Sequence, residues 1–202
     1  MPGRIYTELL DRAHDQHGYL TPADARELGV DPGYLRVLAR RGALEHPARG
    51  VFRFPTTIVP PGRMDEFAAA VVWPQQVAGV LTHDTALDLY EICDISPDRI
   101  HITVPKNHRI KRRVPSLYVV HHADLPDEDV TRREGLPITT VRRTIADCIA
   151  AGVRGGLIED AIRTAHRQAM LTAAATTHRV NSSREPTFCT CHSSQGNRRR
   201  PT

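Results

Sequence analysis

Cysteine is scarce. The 202 residues hold four, Cys93, Cys148, Cys189 and Cys191, too few and too unevenly placed for a disulfide framework, so free thiols and a reducing compartment are expected. Long apolar runs are missing too; stretches such as Phe67 to Trp73 fall far short of the roughly 20 residues that a membrane span needs. The N-terminus has no apolar core of the kind a secretory signal carries. A soluble, cytoplasmic protein is the expectation. Lysine is nearly absent, at Lys106 and Lys111 alone, so almost all of the 27 basic residues are arginine. Guanidinium pairs bidentately with phosphate and with guanine edges, though an arginine bias follows equally well from genome composition. Against 23 acidic residues the formal charge is +4, which permits nucleic-acid binding without demanding it. No internal repeat, P-loop, dinucleotide fingerprint or Ser-His-Asp set is present.

What is there is an ordinary globular composition, 40% hydrophobic and 25% charged. Pro55, Pro60, Pro61 and Gly62 interrupt every periodicity, so residues 56–63 are expected to be a linker between a domain over 1–55 and another over 64–171. From Thr172 to Thr202 the chain is polar, with Val180 and Phe188 its only large apolar residues, and a disordered tail is expected.

In the first domain Ile5, Leu9, Leu10 and Ala13 recur at helical spacing, and Tyr19-Leu20 follows as a short extended stretch. Thr21-Pro22-Ala23-Asp24 then has a hydroxyl cap, a first-turn proline and an acid three residues on. Asp31-Pro32 starts a third helix that stops at Gly42. Its apolar side is Leu35, Leu38 and Ala39, which leaves Tyr34, Arg36, Val37, Arg40 and Arg41 directed elsewhere. Residues 43–46 and 50–54 read as strands around Pro47-Ala48-Arg49, with Arg49 at the tip. Helix, helix, helix and hairpin make a winged helix-turn-helix. The domain carries eight arginines against seven acids, so arrangement rather than bulk charge favours DNA. Arg40, Arg41, Arg49 and Arg53 are placed to neutralise phosphates, Tyr34 and Arg36 to meet base edges. The competing reading is a solvated arginine face that meets an acidic protein.

The second domain reads as α+β: helices over 64–73, 82–90, 140–151 and 157–168, and strands over 100–104 and 117–121. Between those strands Lys106-Asn107-His108-Arg109-Ile110-Lys111-Arg112-Arg113 has five cations and no acid. Such a block is either a solvated loop or a second phosphate site, with Arg109, Lys111, Arg112 and Arg113 as its contacts. Asp98, the strand after it and Lys106 follow the order of elements in a PD-(D/E)xK nuclease. Val104 stands where the second acid belongs, so no catalytic residues are assigned and no enzyme is expected, although a degenerate core kept for binding stays open. Cys189-Thr190-Cys191-His192 lacks a partner half-site, and His121-His122 places its side chains on opposite faces of a strand end; no metal ligand or cofactor is assigned.

These blocks also carry a resemblance. Gly18-Tyr19-Leu20-Thr21, Asp24 to Val30, Tyr34 to Leu44 and Arg49 to Arg53 resemble the winged-helix head of the AbiEi antitoxins. It continues in Leu81 to Tyr90, Ile100 to Pro105 and Gly135 to Asp147. The resemblance spans roughly residues 5 to 170 and departs at the polar run from Thr172. It implies the antitoxin of a type IV toxin–antitoxin system: a repressor whose winged helix binds inverted repeats in double-stranded DNA of its own promoter. The sequence leaves the oligomeric state open; half-sites about 10 base pairs or a multiple of that apart would fit a dimer on that DNA. The implied functional partner is a nucleotidyltransferase-like toxin, counteracted without a stable complex. The runner-up is a module that does not bind DNA and neutralises a toxin by direct contact.

Overall fold

Thr21, Pro22 and Asp24 begin a helix as their chemistry requires. The Thr21 hydroxyl receives the Asp24 N–H at 3.4 Å while Asp24 Oδ2 accepts the Thr21 N–H at 2.7 Å, a reciprocal capping box. The structure, a computed structural model, describes residues 3–171; the tail expected from Thr172 on, with Cys189, Cys191 and His192, lies outside them.

Helices α1 (Arg4–His14), α2 (Pro22–Glu27) and α3 (Pro32–Arg40) pack with a three-stranded antiparallel sheet, β1 (Tyr19–Leu20), β2 (Glu45–Ala48) and β3 (Val51–Arg53), ordered β1-β3-β2. Pro47 lies inside β2, not in the turn expected there. The strand is at the sheet's edge, where a residue without an N–H costs no ladder bond. The wing turn falls at Arg49-Gly50, and Gly50 takes the φ of +71° that a side chain would resist.

The second part has α4 (Asp65–Val72), α5 (His83–Tyr90), α6 (Val141–Ala150) and α7 (Gly155–Arg167) around a five-stranded mixed sheet. Its strands are β4 (Val80–Leu81), β5 (Ile100–Val104), β6 (Tyr118–His122), β7 (Val130–Arg133) and β8 (Leu136–Thr139), ordered β6-β5-β4-β8-β7. The chain is thus α+β with an N-terminal winged helix-turn-helix. The β7–β8 hairpin was not expected from the sequence: β7 is short and polar, and Pro137 interrupts β8. Glu134 and Gly135, both at positive φ, make its two-residue turn.

Two apolar clusters form. One gathers Leu9, Leu20, Leu35, Leu38, Phe52 and Phe54; the other gathers Trp73, Leu81, Leu87, Ile102, Ile138 and Ile145. The small sheet lies between them, because Phe52 and Leu20 enter the first cluster while Tyr19 and Val51 enter the second. Residues 3–171 accordingly belong to one compact unit. Segment 55–63 holds no helix or strand, yet its Val59 is buried in the first cluster.

Asp24 ties α2 to α1. Burial alone would raise its carboxyl pKa. Hydrogen bonds from the Thr21 hydroxyl at 2.6 Å, Gln16 at 2.8 Å, the Thr21 N–H and Arg12 at 3.1 Å outweigh it and hold the pKa below the usual carboxylate value. A depressed folded-state pKa contributes stability that is complete above the unfolded value near 4 and is lost as pH falls through the folded one. Asp24→Asn is expected to cost about 1–3 kcal/mol at pH 7 and much less at pH 2.5, as measured by urea unfolding at both pH values. An equal loss at both would remove the carboxylate from the account.

Candidate nucleic-acid interface

Helix α3 is started by Asp31, whose Oδ1 accepts the Gly33 N–H, and by Pro32 in its first turn. Leu35 and Leu38 are buried, which fixes the helix rotation and turns Arg36, Arg40 and Arg41 to solvent. Tyr34, expected beside Arg36 at the base edges, leans instead against the N-terminal core and is only partly exposed. Between α3 and the wing lies a cleft of about 590 Å³, lined by Gly33, Arg36, Ala39, Arg40, His46 and Phe52. The exposed His46 ring stacks on Phe52 at 4.7 Å, so an imidazole lines the same cleft as the two guanidiniums. It was missed because no periodicity marks a single polar residue on a short edge strand.

Arg49 is exposed at the wing tip. Its carbonyl accepts a hydrogen bond from Gln75 Nε2, and Ala48 packs against the second core, so the tip is anchored from beyond the winged helix. Two residues before Gln75, the Trp73 ring carries the Arg112 guanidinium 4.3 Å from its centroid. The basic β5–β6 connection and the wing tip therefore lean on one short segment, Trp73 to Gln75. Ile110 and Val114 pin that connection to the core, and Arg109, Lys111 and Arg113 project into solvent.

Besides Tyr34, two more of the ten expected DNA contacts are turned from solvent. Arg53 is 4% exposed: its Nη2 holds Asp65 Oδ1 at 2.7 Å, its Nη1 donates to the Phe54 carbonyl at 2.9 Å, and the cation lies 5.5 Å from the Tyr19 ring. Strand alternation sends it to the face opposite Phe52 and Phe54, and that face is covered by α4 rather than open to solvent. Arg112 is the second. Its stack on Trp73 turns it inward, Nη2 is buried, and that burial lowers its pKa. Neither side chain reaches a phosphate from these positions. Arg36, Arg40, Arg41, Arg49, Arg109, Lys111 and Arg113 are all exposed.

Val104, at the position of the missing nuclease acid, is fully buried in β5. Among the described residues no helix is long and apolar enough to cross a membrane.

Comparison with curated proteins finds no match. Among solved structures, that of the RV2827C protein from Mycobacterium tuberculosis is similar to this chain at 20% identity and a TM-score of 0.38. The similarity covers 72% of this chain and 60% of that one, so this chain spans about three fifths of that protein's length. Residues 8–55 match the family model described as transcriptional regulator, AbiEi antitoxin. The matched stretch contains α2, α3 and both strands of the wing, the elements that frame the arginine-lined cleft. The N-terminal region of this protein is therefore similar to that of the AbiEi antitoxins, a family of transcriptional regulators, over those residues.

Proposed function

We propose that this protein represses its own operon as the antitoxin of a type IV toxin–antitoxin system. Inverted repeats in the promoter are its sites, two copies occupy them, and a nucleotidyltransferase-like toxin is counteracted without a stable complex. The protein acts without catalysis of its own. The observation that supports this reading best is the convergence of Arg36 and Arg40 on one cleft, flanked by Arg41 and by Arg49 at an anchored wing tip. A rigid helix that presents guanidiniums beside a β-ribbon can enter a major groove while the ribbon tip reaches the adjacent backbone. Arg109, Lys111 and Arg113 extend the cationic surface along the same duplex, and each phosphate neutralised adds about 0.9 to the salt slope of the binding constant.

The test is a mobility-shift titration of the full chain on DNA from immediately upstream of its gene and on a random duplex, at several salt concentrations. Binding to upstream DNA is expected to be at least about 1,000-fold tighter than to random DNA. The triple variant R109A/K111A/R113A is expected to bind both more weakly by the same factor, with a salt slope smaller by about 2–3. Equal affinity for both duplexes overturns the repressor reading. An unchanged slope removes the basic connection from the interface.

A further inference from the structure

His83, His101 and His121 come from three elements and meet in one place. His101 on β5 and His121 on β6 are diagonal neighbours on one face of the sheet, since the parallel register pairs His101 with Val119 and Thr103 with His121. Above them Leu81 at the end of β4 leads through Thr82 into α5, whose first residue is His83. The Thr82 N–H donates to the His101 carbonyl at 3.1 Å, and Thr85 on α5 accepts the His101 N–H at 2.8 Å, so helix start and strand are locked together. His83 holds a φ of +51°, in the left-handed region that few side chains other than Asn, Asp and His adopt.

We propose that His83, His101 and His121 form a binding site for a divalent late first-row transition metal, zinc foremost. Each ring offers one nitrogen such that all three lie within 4.8 Å of one another. His121 Nε2 and His101 Nδ1 are 3.3 Å apart, the edge of a tetrahedron whose metal–nitrogen distances are about 2.0–2.1 Å. The His83 ring stacks on His121 at 3.7 Å between centroids, so it must turn about its side-chain torsion to aim a lone pair at the same ion. That torsion is broad and soft for an imidazole. Three nitrogens leave one coordination position open for water or a ligand.

The three rings are held neutral, and two carboxylates stand near them. A ligating imidazole must be neutral. Burial, then the neighbouring His121 and His101 and the Arg143 guanidinium, push His83 down to about 3, and the Arg143 charge is one that a bound dication would also meet. Burial lowers His101 against the pull of Asp84. Burial and His101 lower His121 against the pull of Asp147 and Asp84. Those carboxylates would offset the charge of a dication that enters in place of protons. Thr82 Oγ1 lies 3.1 Å from His83 Nδ1 and 3.5 Å from Asp147 Oδ2, the kind of hydroxyl and carboxylate that orient a metal-bound ring from behind. Soft and borderline ions suit imidazole, and magnesium and calcium do not. All three histidines are half-buried, within reach of an ion from solvent.

The experiment takes the full chain, free of any polyhistidine tag and stripped with a chelator, and titrates it with zinc and with cobalt(II). Uptake is followed by equilibrium dialysis and the visible absorption of cobalt. Tight binding of a single ion per chain is expected, with the intense bands of four-coordinate cobalt and no response to magnesium. H101N and H121N should each weaken uptake at least about 100-fold, whereas C189S/C191S should not change it. Imidazole nitrogen NMR shifts of the unsubstituted chain, which needs no variant to fold, should move at exactly three histidines on zinc addition. No uptake, uptake that survives both histidine variants, uptake lost with the cysteines, or NMR shifts at other histidines would overturn the proposal.

Discussion

Arg53→Ala is expected to cost about 3 kcal/mol of stability while leaving the salt slope of DNA binding where it was. The substitution removes a nearly buried cation from between two carbonyls, a tyrosine ring and Asp65. Asp65 is then left with the Tyr19 hydroxyl at 3.2 Å and no opposite charge. Breaking such a pair costs more than the pair contributed, because the remaining charge stays partly desolvated. Arg53→Lys keeps the charge and loses the planar fork, so it should recover only part of the loss. Guanidinium denaturation read by circular dichroism measures the first effect, and binding to random DNA across a salt series measures the second. A near-normal unfolding midpoint together with a smaller slope would return Arg53 to the phosphate surface.

The second large effect is on recognition. Arg36→Ala is expected to weaken binding to upstream DNA by about 1–3 kcal/mol and to relax preference at one base pair. Arg49→Ala should weaken binding to every duplex alike. The difference rests on placement. Arg36 rises from the buried-side-out rotation of α3 into the cleft, whereas Arg49 stands on a wing tip whose backbone is held by Gln75. Binding measured on a set of duplexes with single base-pair changes separates the two. Equal losses on specific and random DNA for both variants would deny Arg36 a base contact.

The residues that form local structure were legible from the sequence. Thr21, Pro22 and Asp24 cap a helix because their chemistry acts within three residues, and Leu35 and Leu38 set the exposed face of α3 by period alone. Arg53 was misread for a reason equally physical. On a short strand an arginine that alternates with phenylalanines marks a solvent face, and only the later arrival of α4 turns that face into an interior. Arg112 failed likewise, since nothing in a basic run says which cation will find a tryptophan. The hairpin of β7 and β8 has its turn in two residues and little apolar alternation on either side. His83, His101 and His121 share no spacing at all; they become neighbours only through the parallel pairing of β5 with β6 and the return of the chain through β4.

The small sheet that has an interior on both sides bears on how such a regulator can evolve. Tyr19, Val51 and Arg53 are as much a part of the C-terminal half as of the winged-helix head. The head is therefore not an interchangeable cassette. Recombination at residue 55 that exchanged the head for another would tear one face of the head's own sheet from its cover. If Arg36 and Arg40 read DNA as proposed, new specificities are more readily reached by change at those two positions on an inherited frame than by shuffling whole heads.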